Sequence, residues 1–202
     1  MTCHARRVDA GAFSPWLASM RAALLDEGTT DVPCDGCTAC CRSSRFVHID
    51  PDERATLARI PPTLLFPAPR SPAGTVLLGY DERGHCPMLV DDRCSIYDDR
   101  PRTCRTFDCR IYAAAGVEPD GEGEDDLRAR VRAWRFRHPT AADRADHDAV
   151  LAAARTLADR PPTERAVRSV QEISTTVSIG PRPVRVGGEE SAGSRTSERR
   201  SR

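Results

Sequence analysis

The chain has 202 residues, 30 basic against 30 acidic side chains, no lysine among the basic ones, 5% aromatics and a mean hydropathy of -0.50. Zero formal net charge removes a global field that would draw nucleic acid, a membrane surface or an acidic partner. The absence of lysine excludes a phosphate-binding P-loop, a lysine Schiff base and a lysine nucleophile.

Residues 1–12 read as a frayed arm that contains Cys3 and His4. A helix is then signalled from Ser14 as cap and Pro15 in the first turn. Trp16, Leu17, Met20, Leu24 and Leu25 lie on one side, and Gly28 ends it. After Cys34–Cys41, Phe46-Val47-His48-Ile49 reads as a strand, and Asp50-Pro51-Asp52-Glu53 as a capping box opening a helix to about Arg59. Residues 61–74 carry five prolines and read as an irregular covering loop. Residues 75–80, 86–90 and 94–97 suggest a three-stranded antiparallel meander with Cys86 and Cys94 on neighbouring strands.

Pro101 can open a helix that runs to about Ala115 and ends at Gly116. Residues 117–125 are acidic and Gly-rich, and read as a linker. Helices follow at about 125–137 (Leu127, Val131, Trp134), 141–159 (Val150, Leu151, Ala154, Leu157, Ala158) and 163–174 (Val167, Val170, Ile173). From Gly180 the Gly, Ser, Arg and Glu composition predicts disorder. The expected class is small α+β, with an irregular metal-stapled Cys-rich core and a short antiparallel meander between N-terminal and C-terminal helices. Its expected divisions are 1–30, 31–116, 117–179 and 180–202.

Eight of the nine cysteines, Cys34, Cys37, Cys40, Cys41, Cys86, Cys94, Cys104 and Cys109, fall within residues 34–109. The first four form Cys34-Asp35-Gly36-Cys37-Thr38-Ala39-Cys40-Cys41, two C-x-x-C steps closed by a doublet. A C-x-x-C turn brings two thiolates toward one ion, at roughly 2.3 Å for zinc. Gly36 suits the positive φ of such a turn. Neighbouring side chains diverge by about 100° on a helix, so Cys40 and Cys41 suggest two centres or one polynuclear cluster. Cys104 and Cys109 would likewise diverge on one continuous helix.

A disulfide framework would require secretion, yet residues 1–30 hold no apolar run of signal-peptide type and the cysteine count is odd. Inert core thiols do not gather as four in eight residues. Metal binding in a reducing cytoplasm is the favoured reading. No segment approaches the roughly 20 apolar residues of a membrane span.

The string Cys34-x-x-Cys37-x-x-Cys40-Cys41, followed by Cys86-Pro87, Cys94-x-Ile96-Tyr97-x-x-Arg100-Pro101-x-x-Cys104-Arg105-x-Phe107-x-Cys109, resembles the YkgJ-type cysteine cluster family. That family is described as a zinc- or iron-chelating domain, and its pattern also occurs in flagellin lysine N-methylases. The resemblance covers about residues 31–112. It implies the eight matching cysteines as ligands and carries no general catalytic role.

Soft thiolates suit zinc, iron and iron-sulfur clusters alike. The leading expectation is therefore a cytoplasmic metal-binding protein. An iron-sulfur oxidoreductase or protein-modifying enzyme is the alternative, and an interaction module recruiting a protein partner through the helices at 125–174 is another. Nucleic acid is disfavoured because the cluster lacks a basic stripe interleaved with aromatics. Arg42, Arg93, Arg105 and Arg110 adjoin cluster cysteines and could offset thiolate charge. Arg100 could bridge to Asp98, Asp99 or Asp108. His85 could replace one thiolate, whereas His48, His138 and His147 have no thiol neighbours in sequence.

Overall fold

The computed structural model describes residues 7–25, 32 and 36–176. Cys3, Cys34 and the tail expected to be disordered lie outside the described residues. The chain is a small α+β protein of short sheets and short helices, as its composition suggests, with the strands paired differently from the expected meander.

Residues expected to fray form β1 (Val8–Ala12), which pairs in parallel with β7 (Trp134–Arg137), Val8 opposite Trp134 and Asp9 opposite Arg135. Gly11, at φ 89°, allows the register to shift between Asp9 and Ala12. An Asp9–Arg137 ion pair of 3.0 Å closes this edge. Trp134 therefore begins a strand rather than continuing the helix α5 (Asp125–Ala133).

Helix α1 (Phe13–Leu24) starts one residue before Ser14, so Ser14 is not its cap. The backbone N–H of Ser14 donates instead to Asp143, at 3.0 Å, and its hydroxyl donates to Asp146, at 2.6 Å. A carboxylate from α6 (Ala141–Thr156) thus satisfies a donor that a local cap would otherwise take. The expected apolar face is buried at Trp16, Leu17 and Met20, while Leu25 follows the helix and is exposed.

Two apolar cores form. The larger joins α1 with α4 (Arg110–Ala115), α5, α6 and α7 (Pro162–Thr176) around Phe13, Tyr112, Leu127, Val150 and Val170, each at most 1% exposed. Val150 and Ala154 of α6 and Val167, Val170 and Ile173 of α7 turn into this core, while Leu157 follows α6, which ends at Thr156. The smaller has four buried residues, Ile49, Ile60, Leu78 and Ile96.

That smaller core lies under the sheet β2-β4-β3, formed by β2 (Val47–Ile49), β3 (Leu65–Pro67) and β4 (Val76–Leu78), all antiparallel. Part of the proline-rich segment is therefore a strand, with Pro67 at its end where a missing donor costs least. Helix α2 (Arg54–Arg59) ends as expected, but its capping box is only half made. Glu53 accepts from the Asp50 N–H at 3.0 Å, while the Asp50 carboxylate meets Thr75 and Arg102.

The strands β5 (Leu89–Val90) and β6 (Arg93–Cys94) form a hairpin of their own, with Leu89 opposite Cys94. Asp91 and Asp92 turn it at φ 47° and 58°, the two left-handed positions of a type I′ turn. The helix expected from Pro101 to Ala115 is broken. After α3 (Arg102–Thr106), Phe107 takes extended backbone, and α4 begins at Arg110. Gly116, at φ 63°, ends α4 as expected. The expected linker is anchored, because Glu124 is buried and accepts from Arg45 Nε at 2.6 Å.

Candidate metal centre

The cysteines sit on irregular backbone where several short elements converge. Gly36 has φ 74°, as a C-x-x-C turn requires, and the chain then passes through Cys37 into a single 3-10 turn at Cys40–Arg42. The Ser43 hydroxyl closes that turn by donating to the Ala39 carbonyl at 2.6 Å. The backbone N–H of Cys86 donates to the Cys41 carbonyl at 2.7 Å, and that of Leu89 to the Cys86 carbonyl at 2.9 Å. Main-chain bonds thereby dock the second half of the cysteine set on the first. Cys94 arrives on β6, Cys104 on α3 and Cys109 at the break before α4.

Cys37, Cys40, Cys41, Cys86, Cys94 and Cys104 line one cavity of about 490 Å³. Its apolar wall includes Leu78, Met88 and Ile96. Cys37 and Cys40 also line a second cavity of about 310 Å³, together with Cys109, Trp134, Arg110 and Arg130. The break between α3 and α4 is what sends Cys104 to one cavity and Cys109 to the other. The seven described cysteines are thiols outside any disulfide, and all are half-buried. Among the described residues, no three His, Cys, Asp or Glu side chains stand arranged to hold an ion as they are placed. The donor set is right for a soft ion, and closing a shell would require the thiols to draw together and Cys34 to be included.

The neighbouring thiols of the doublet act on each other: hydrogen bonding from Cys41 holds the Cys40 thiol down to about 7, while the same interaction and burial push Cys41 up. Burial also pushes Cys86 up. Burial raises Cys109 to about 12, although the Trp134 indole N–H donates to its sulfur at 3.2 Å.

The arginines beside the cysteines divide. Arg42 pairs with Asp92, and Arg110 with Asp108 at 2.6 Å. Asp108 also accepts from Trp16 Nε1 at 2.8 Å, which ties the cluster to the larger core. The Arg100 guanidinium donates to the Tyr97 carbonyl at 2.7 Å and lies over the Tyr97 ring at 4.0 Å, while Asp99 pairs with Arg59 and Asp108 with Arg110. The guanidinium lines the larger cavity beside the thiols. His85 lies outside both cavity walls, its backbone N–H held by Asp81 at 2.8 Å.

Trp134 and Arg130 were not legible as site residues. Both lie in a segment whose only local signal is helical periodicity, and the pairing of β7 with β1 brings them to Cys109.

No curated protein and no solved structure matches this chain. No described helix is long and apolar enough to cross a membrane. Residues 33–120 are similar to the CxxCxxCC family model, described as a "putative zinc- or iron-chelating domain".

Proposed function

We propose that the eight thiolates bind zinc or iron in two neighbouring four-thiolate centres, one formed by Cys34, Cys37, Cys40 and Cys109, the other by Cys41, Cys86, Cys94 and Cys104. The observation that carries this reading is the pair of adjoining cavities, six thiols around the larger and Cys109 with Cys37 and Cys40 around the smaller. The electrostatic neighbourhoods support part of this division, since Cys109 is influenced by Cys37 and Cys40, and Cys41 by Cys86 and Cys104, while Cys40 also acts on Cys41 and Cys86 and so lies between the two centres. Cys34 joins the first centre through its C-x-x-C spacing with Cys37.

Four thiolates around a divalent ion leave no open coordination position, so the ions would hold the fold or be stored and transferred rather than act on a substrate. Thiolate ligation also favours a reducing compartment, and the cytoplasm is the proposed location. Within the chain the Cys94 and Cys104 elements would be held against the 3-10 turn by the second ion. The first would fix Cys109 and the helices behind it.

Elemental analysis of anaerobically purified protein tests the division. The expected result is two ions per chain, with Cys86→Ser and Cys109→Ser each removing one and the double variant removing both. Complete loss from either single substitution, with the fold kept by circular dichroism, would replace two centres by one shared cluster. Brown protein absorbing near 400 nm, with stoichiometric sulfide, would move the reading to an iron-sulfur cluster.

A further inference from the structure

We infer that Trp134, with Arg130 stacked on its ring, is a positioning residue for the metal centre that contains Cys109; the inference rests on the two-centre reading. The Trp134 indole N–H points at the Cys109 sulfur, 3.2 Å away. The Arg130 guanidinium lies 4.2 Å above the centre of the same indole, and its Nε is buried with no hydrogen-bond partner among the described residues. Arg110 approaches the ring at 5.9 Å while bound to Asp108.

A buried indole N–H needs an acceptor, and indole can only donate. Thiolate sulfur keeps lone pairs after it binds an ion, so the N–H···S bond persists on loading and removes electron density from the ligand. A cation over the indole face acidifies the N–H and strengthens that donation. It also offsets part of the negative charge that several thiolates bring to one ion. The direction of the indole is fixed from outside the cysteine segment, because Val8 pairs with Trp134 in the parallel β1–β7 ladder. Residues before and after the cysteine segment therefore set the orientation and electron donation of a ligand within it.

The experiment uses full-length protein loaded with cobalt(II), whose thiolate-to-metal charge-transfer bands report on sulfur donation. Trp134→Phe keeps an aromatic face for Arg130 and removes the donor. The expected result is an unchanged number of ions, a charge-transfer band moved to longer wavelength, and about tenfold weaker retention against a chelator at the Cys109 centre alone. Arg130→Gln moves both readouts in the same direction by less. In a Cys109→Ser background, Trp134→Phe produces no further change in retention, which separates ligand positioning from lost packing. A parent protein that binds two ions while Trp134→Phe leaves band and retention unaltered would overturn the inference and leave the two-centre reading standing. An equal effect of Trp134→Phe with and without Cys109 would overturn it as well. A parent that takes up no metal would remove both.

Discussion

The carbonyl of Cys41 accepts the backbone N–H of Cys86 at 2.7 Å, so main chain joins the two runs of cysteine. The apolar support around that joint is slight, four buried residues against sixteen in the helical core. Chelation should therefore loosen the cysteine segment while the helices hold. Hydrogen exchange read by mass spectrometry is expected to show faster exchange across residues 36–104, with α1, α4, α6 and α7 protected as before. Uniformly unchanged protection would contradict this.

Asp143 holds two helix starts together. It is 2% exposed, completes the capping box with Thr140, and accepts the Ser14 N–H of α1. The Thr140 hydroxyl bond first, and the Ser14 N–H next, lower its carboxyl from 3.8 to about 2. Because the folded value lies below the unfolded one, the stabilisation is complete above about pH 4 and fades as pH falls through about 2. Asp143→Ala should lower the melting temperature at neutral pH, and its stability should fall less steeply than the parent's across that acid interval. Parallel acid titrations of the two proteins by circular dichroism check this.

Glu124 anchors the segment that reads as a linker. It accepts from Arg45, which also donates to the Tyr112 hydroxyl at 3.1 Å, and that hydroxyl is bonded to Thr163 at 2.8 Å. Glu124→Ala leaves a half-buried guanidinium without its carboxylate and should cost about 2 kcal/mol, whereas Tyr112→Phe should cost about 1 kcal/mol. Urea denaturation of the two variants gives both values. A smaller loss for Glu124→Ala than for Tyr112→Phe would show the ion pair to be peripheral.

His147 is stacked on Phe13 at 4.1 Å and hydrogen-bonded to His138 at 2.8 Å. Burial first, and then the neighbouring His138, lower its pKa below 6.5, while Asp148 and the Ala114 carbonyl oppose the shift. The folded protein thus binds this proton less readily than the unfolded chain, and stability should drop as pH falls below about 6.5. The melting temperature of the parent is expected to decline between about pH 7 and pH 5, and that of His147→Gln to decline less.

Much of the outline could be read locally. The Cys34–Cys41 spacing marked the segment that matches the chelating family, Pro101 and Gly116 marked where helical backbone starts and stops, and the α1 stripe named Trp16, Leu17 and Met20 as core. These features depend on neighbours a few residues apart, where rotation per residue and side-chain chemistry are sufficient.

What the chain order alone determined is a concentration of soft ligands, set at turn-forming intervals and flanked by amphipathic helices. Only the tertiary structure decided that Cys104 and Cys109 face different cavities, that Val8 lies beside Trp134, and that Asp143 serves the start of α1. Such relationships come from closing long loops to bury one common core and satisfy backbone donors. That process leaves no period or motif in the residues it joins.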